Sequence, residues 1–153
     1  MKRLHLLTPV VLGLALVCMA TSFSEAQSKI IRVIATLDQL DPPPPSPFPT
    51  ALGDSNTANA DLADAQGHSA GTLASHCTII SVPPRDLLEQ CLLTAVFPSG
   101  QIVFAGIAVL PTPGARAEFA ILGGTDRYSN AQGVVKASVD PSGAPINFTF
   151  ILN

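Results

Sequence analysis

The feature that most constrains the fold is a regular succession of strand-like segments separated by turns too short to contain a helix. Each separator carries Pro, Gly, Asp or Ser, whose backbone preferences favour turns. The segments are Gly71–Ser81, Leu87–Phe97, Gln101–Leu110, Ala115–Leu122, Ala131–Val139 and Pro145–Leu152. Because no separator leaves room for a crossover helix, successive strands are predicted to be antiparallel neighbours.

Two further segments upstream complete the predicted set of strands. Lys29–Leu37 is rich in β-branched residues and is predicted to be the first strand. The polar stretch Leu52–Gln66 is predicted to hold a loop and a short second strand, and the proline-rich Asp41–Pro47 is interpreted as a stiff loop rather than as an SH3-type ligand. The total of about eight strands is common in closed barrels. We therefore predict an all-β protein, a closed eight-stranded antiparallel up-and-down β-barrel.

The N-terminus has the three parts of a secretory signal peptide. A basic start, Met1–Arg3, precedes the apolar run Leu4–Ala20, and Ser24–Ala26 offers small residues to a signal peptidase. The apolar run is shorter than the roughly 20 residues that a transmembrane anchor needs, and lipid attachment at Cys18 would need a small residue before it. Residues 1–26 are therefore predicted to be cleaved, which leaves a secreted protein, extracellular or periplasmic, without a membrane anchor.

The remaining residues, 27–153, are long enough to bury one modest core and are predicted to form a single domain. Charged residues make up 12% of the chain, against about a quarter in a typical protein. The formal net charge is −3, and the chain has no Trp and no basic stretch beyond the start. These features make nucleic acid and anionic membranes poor candidate partners.

Two cysteines, Cys77 and Cys91, follow the predicted cleavage site. In an oxidising compartment an even number of cysteines favours a disulfide over a catalytic thiol. If the two face each other, the centre of their hairpin falls on Pro84, inside the predicted turn, and opposed residues are close enough to be bridged. His76 alternates with Cys77, so a catalytic Cys–His pair is disfavoured. We predict a Cys77–Cys91 disulfide.

No strong catalytic or cofactor motif occurs in the chain. There is no Ser nucleophile elbow, no His-Glu-x-x-His and no phosphate-binding loop. His68 and His76 are too few and too far from other ligands to predict a metal site. The sequence therefore predicts neither a metal nor a cofactor.

Three polar residues of the first strand, Arg32, Thr36 and Asp38, share one face by parity. They could project into a cavity, where a few polar groups orient a mostly apolar ligand, or they could form the solvated outer face of that strand. Glu89 shares the face of Cys91 and would lie on whichever side that cysteine serves. The sequence alone leaves the direction of each face open.

The strand Gln101–Leu110 is apolar on both faces. One face carries Ile102 and Phe104, and the other carries Val103, Ala105 and Ile107. Because one face of a lone barrel should meet water, we expect an outer partner, either another subunit or a covering loop. This pattern favours a homo-oligomer.

The segment Gly123–Gly133, which follows Phe119–Leu122, resembles the Gly-Gly-Thr/Ala-Gly-x-Phe-x-x-Ala-x-Gly segment shared by dirigent proteins and allene oxide cyclases, with Asp126 at the usual third glycine. Gly71–Cys77 and the closing strand Ile146–Leu152 also resemble this family. The resemblance implies an eight-stranded barrel with a hydrophobic cavity, commonly assembled as a trimer. Both branches act on apolar, reactive small molecules by guiding ring closure or coupling.

The resemblance suggests a secreted barrel that binds a hydrophobic small molecule and guides its cyclisation. In that hypothesis Asp38 is the catalytic, proton-handling group, and Arg32 and Thr36 orient the ligand. The acidic residue on the cyclases' first strand would fall near Thr36, and Cys77 matches a cyclase cysteine. The alternatives are a lipocalin-style carrier without catalysis and a structural envelope protein with a solid interior.

Overall fold

The computed structural model describes residues 28–41, 51–109, 113–142 and 145–153, and the side chains of residues 39–41 are not described. The predicted signal peptide, residues 1–26, and most of the proline-rich loop therefore lie outside the described residues. Within the described part, no helix is both long enough and apolar enough to cross a bilayer.

The described chain forms a closed barrel in which each strand pairs antiparallel with the next and the last pairs with the first. The strands are β1 (Lys29–Asp41), β2 (Ser55–Ala63), β3 (Ser69–Ser81), β4 (Leu88–Phe97), β5 (Gly100–Val109), β6 (Arg116–Gly124), β7 (Gly133–Val139) and β8 (Ile146–Leu152). A short 3-10 helix, Asp126–Tyr128, connects β6 to β7. The predicted eight-stranded up-and-down barrel is confirmed.

Side chains alternate between the interior and the outer surface along each strand. On β4, Glu89, Cys91 and Leu93 are buried, whereas the intervening Gln90 and Leu92 are exposed. This period of two is what a sheet with one buried face requires. A register shift on β1 between Leu37 and Gln39 interrupts the pattern near the end of that strand.

The interior of the barrel is filled with aromatic rings at one end, which we call the closed end. Phe104 is fully buried and meets the rings of Phe119, Phe148 and Phe150 at centroid distances of 5.8, 6.1 and 5.4 Å. All three pairs meet edge to face, which is a favourable geometry for aromatic rings. This cluster is therefore a principal source of hydrophobic stabilisation for the fold.

The connection after β6 completes the closed end. Tyr128 of the 3-10 helix is buried and lies 5.7 Å from the ring of Phe97. The Ser99 hydroxyl donates a hydrogen bond to the Tyr128 hydroxyl at 3.1 Å, and the Lys29 ammonium lies 5.2 Å from the centre of the Tyr128 ring. The short helix thereby covers the ends of the strands at this side.

Two glycines permit strands to approach closely. Gly71 and Gly133 have φ angles of +150° and +130°, which side chains disfavour. A Cβ at Gly71 would overlap the carbonyl oxygen of Val96, and one at Gly133 would overlap that of Ile151. Gly133 is the last glycine of the segment quoted above, so its presence there has a steric reason.

Candidate functional site

A cavity of about 170 Å³ occupies the other end of the barrel, which we call the open end. Small side chains create this space, because the inward positions of most strands here are alanines. These are Ala35, Ala58, Ala60, Ala108, Ala117 and Ala137. Phe119 and Phe148 line the cavity toward the closed end, while Leu37 and Val109 line it and are about half exposed. An apolar cavity of about 150 Å³ is enough to hold benzene.

The cavity wall contains one buried carboxyl group. Glu89 is 4% exposed, and among the described residues it is the only charged residue that is buried. Its inward direction follows from the alternation of β4, in which Glu89, Cys91 and Leu93 all line the cavity. A carboxyl group in an otherwise apolar wall is costly unless it is hydrogen-bonded.

Asn56 on β2 supplies that hydrogen bond. Its Nδ2 donates to Glu89 Oε1 at 2.8 Å across the intervening strand β3. Burial raises the pKa of the Glu89 carboxyl, and the hydrogen bond from Asn56 opposes part of that rise. The ion pairs recorded among the described residues, His68–Asp64 and Lys136–Glu118, do not involve Glu89. The carboxyl is therefore held by an amide and not by a cation.

The Cys77–Cys91 disulfide forms the wall beside Glu89. The two residues are directly opposed on β3 and β4, with a Cα–Cα distance of 4.1 Å, and both line the cavity. The predicted disulfide is thus present. The two sulfur atoms and a Glu89 carboxyl oxygen lie within 4.8 Å of one another. Because the sulfur atoms are bonded to each other, they do not act as thiolate ligands in this form.

The site residues predicted on the first strand do not line this cavity. Arg32 and Thr36 are exposed, and the intervening inward positions of β1 are Val33 and Ala35, which are buried. This geometry corresponds to the solvated outer face that the sequence left as the alternative, and it corrects the inward orientation on which their ligand contact depended. Asp38 lies at the register shift, is exposed and does not line the described cavity. Its catalytic role stays a prediction.

Asn56 could not be identified from the sequence, because it lies in the polar stretch where a strand was only weakly indicated. The signal that could have found it is the alternation Asn56, Ala58, Ala60, Leu62, which runs from the open end into the buried interior. Glu89 was placed on the face of Cys91, and the inward direction of that face makes it part of the site.

The fold and site define a class: single antiparallel barrels that contain an internal, mostly apolar cavity. The family model for the allene oxide cyclase barrel-like domain matches residues 31–143. Since this match covers most of the chain, the protein belongs to the allene oxide cyclase barrel-like family. No curated protein sequence matches the chain.

Several solved structures share the fold. A pyocyanin demethylase superposes with a TM-score of 0.66 at 23% identity, over 82% of this chain and 100% of its own. AbnU, an exo-specific intermolecular Diels-Alderase, gives 0.67 at 14% identity, over 82% and 98%. The Diels-Alderase AbmU from Streptomyces koyangensis gives 0.64 at 22% identity, over 82% of this chain and 63% of its own. At these identities the likeness establishes the shared barrel alone.

Proposed function

We propose that this protein binds an apolar small molecule in the barrel cavity and guides its cyclisation. The observation that carries the proposal is the Glu89 carboxyl, buried in an apolar wall beside the disulfide and hydrogen-bonded by Asn56. A carrier needs only apolar walls, and a structural protein needs a filled interior. The Diels-Alderases among the similar structures support a ring-forming role.

Two physical contributions would act on the ligand. The cavity walls limit the conformations of a flexible reactant and hold its reacting ends together, which lowers the entropic part of the barrier. The Glu89 carboxyl, whose pKa burial raises, can give a proton to the ligand or accept one from it. Asn56 keeps the carboxyl directed across the wall. In this proposal Glu89 takes the proton-handling role that the sequence predicts for Asp38.

The first experiment uses native mass spectrometry on the protein purified from its own producing culture. We expect a small apolar adduct, whose mass identifies a substrate class for turnover assays. Glu89→Ala should then reduce turnover by at least about 100-fold, the lower range for loss of a general acid or base. The surface variant Glu118→Ala is the control and should retain turnover, while Asp38→Ala tests the alternative catalytic group.

The outcomes separate the hypotheses. Adduct returned unchanged by the wild-type protein would indicate a carrier. A protein that carries no adduct and binds no apolar compound would overturn the proposal. Loss of turnover in Asp38→Ala with retention in Glu89→Ala would restore the original assignment of the catalytic group.

We also propose that the protein is exported to an oxidising compartment, extracellular or periplasmic. The signal-peptide pattern of residues 1–26 and the disulfide support this location. N-terminal sequencing of protein recovered outside the producing cytoplasm should begin at Gln27. An intact Met1 on cytoplasmic protein would contradict it.

A second copy of the chain is proposed to cover the apolar outer face, which we define as the outward side chains of Leu92, Val96, Ile107 and Leu122. They are 49%, 37%, 55% and 62% exposed and belong to neighbouring strands β4, β5 and β6. The outward positions of β4 and β5 carry no charged residue, whereas charged outward residues lie on other strands, such as Arg32 on β1, and at the opposite end of β6 from Leu122, such as Glu118. This separation favours apolar contact between copies, with the trimer of the family resemblance as the expected assembly.

Substitution tests this assembly directly. Ile107→Asp should convert the oligomer to monomer in native mass spectra and in light scattering. The matched control is Thr57→Asp, an exposed position on β2 outside the apolar outer face. A monomeric wild-type protein at about 10 μM would overturn the proposal.

A further inference from the structure

We propose that the ligand carries a neutral hydrogen-bond acceptor, in particular a ketone-type carbonyl, and that the Glu89 carboxyl binds it by donating a hydrogen bond. This inference rests on the proposed function and names the substrate class of the same cavity.

The polar lining of the described cavity consists of Asn56, Ser75, Glu89 and Arg116. The Ser75 hydroxyl donates to the carbonyl oxygen of Ala58 at 3.4 Å, so its donor is already used. Arg116 begins β6 at the open end and is exposed. Glu89 and Asn56 therefore form the polar group that a ligand meets inside the cavity.

The hydrogen bonds within this pair determine what it can offer a ligand. Asn56 Nδ2 donates to Glu89 Oε1, so the amide stabilises one carboxyl oxygen, and because the Glu89 side chain lines the cavity, we infer that the other oxygen, Oε2, meets the ligand. An apolar ligand that fills the cavity displaces water from this oxygen and further disfavours its negative charge. The neutral carboxyl has one O–H donor. A carbonyl oxygen on the ligand would satisfy it, whereas an anionic ligand group would not be attracted there.

The size and lining of the cavity limit the rest of the ligand. About 170 Å³ accommodates roughly one or two small rings. The walls are mainly alanine and disulfide, with Phe119 and Phe148 toward the closed end, so the enclosed part of the ligand must be apolar. The expected class is an uncharged cyclic or ring-forming molecule with one carbonyl.

A matched pair of bicyclic probes tests this class. Tetralin and 1-tetralone have the same carbon skeleton and differ in one carbonyl oxygen. Their dissociation constants are measured by isothermal titration calorimetry at pH 4.5, the ordinary pKa of a Glu carboxyl, which burial raises for Glu89, on the wild-type protein and on Glu89→Leu and Glu89→Gln. We expect Glu89→Leu to weaken 1-tetralone about tenfold and to leave tetralin unchanged or tighter, while Glu89→Gln, which keeps an N–H donor, stays within about threefold.

The pH dependence provides a measurement that does not need Glu89→Leu to fold. The 1-tetralone affinity of the wild-type protein should fall as the pH rises through the pKa of Glu89, because a carboxylate cannot donate, and Glu89→Gln should show no such fall. Among the described residues on the surrounding strands, Cys77 and Cys91 are disulfide-bonded, His76 is exposed on the outer surface, and Arg116 is exposed at the open end. None of these groups would mimic the expected profile.

The experiment distinguishes two failures. If neither probe binds the wild-type protein, the cavity does not accept ligands of this class and the proposed function fails with the inference. If both probes bind and their affinity ratio is unchanged in Glu89→Leu and independent of pH, the cavity binds apolar molecules and the carbonyl inference alone is overturned.

Discussion

Breaking the Cys77–Cys91 disulfide should lower the free energy of unfolding by about 3 kcal/mol. The bond joins residues separated by 14 positions, and in the chain-entropy model a closed loop of about 15 residues restricts the unfolded chain by this amount. The partners are opposed in the antiparallel register of β3 and β4, so the reduced folded state keeps the same strand pairing. The effect therefore lies mainly in the unfolded state.

The assay is urea unfolding of the same protein with and without a phosphine reductant. With a slope of about 2 kcal/mol/M, the midpoint should fall by about 1.5 M on reduction. Cys77→Ala/Cys91→Ala is the matched control, because the reductant has no bond to break in it and its midpoint should not move. Intact mass, which rises by two hydrogens on reduction, reports whether the bond has been cleaved.

Two results would refute the reasoning. An untreated protein whose mass already corresponds to two thiols would show that the opposed cysteines are not joined. A fully reduced protein that loses less than about 0.5 kcal/mol would show that residual structure in the unfolded chain already closes the loop.

Three further predictions concern the stability of the barrel. Burial raises the pKa of Glu89 in the folded state, so the folded protein holds this proton more tightly than the unfolded chain. The free energy of unfolding should therefore fall as the pH rises from the ordinary Glu pKa of 4.5 through the raised pKa, and Glu89→Gln should flatten this slope in urea titrations. Phe104→Ala should cost about 3–5 kcal/mol by removing a fully buried ring, whereas the neighbouring Ile102→Val should cost only about 0.5–1.5 kcal/mol in the same thermal unfolding assay. Gly71→Ala should destabilise the barrel, because the added methyl group would overlap the carbonyl oxygen of Val96. Gly67→Ala is the control, since its methyl group would meet open space and only the smaller cost of its positive φ remains. Equal losses of stability at both positions would contradict this steric explanation.

The sequence predicted the barrel well because its evidence is local. Short separators fix antiparallel neighbours, and the spacing of Cys77 and Cys91 independently placed the turn between β3 and β4. The second strand was only weakly indicated, because Ser55–Ala63 is polar on its outer face and carries small residues inside. Its stability comes from pairing with β1 and β3, which is a tertiary effect.

The site could be predicted only in part, because parity identifies which residues share a face but not which face is inside. That ambiguity led to Arg32 and Thr36, whose neighbours Val33 and Ala35 take the interior. Glu89 was tied to the face of Cys91, and the burial of that cysteine determines its direction. Closure of the barrel brings distant strands around one cavity and thereby determines which face of each strand is inside.

Along the same strands, the alanine-lined open end determines which ligand fits, whereas the aromatic closed end stabilises the fold. On β2, Ala58 borders the cavity while Leu62 is buried in the packed interior; on β6, Ala117 and Ile121 stand in the same relation. A larger residue at Ala58 or Ala117 would reshape the binding space and leave the aromatic contacts in place. Such a barrel can acquire a new substrate through few changes without first losing its architecture.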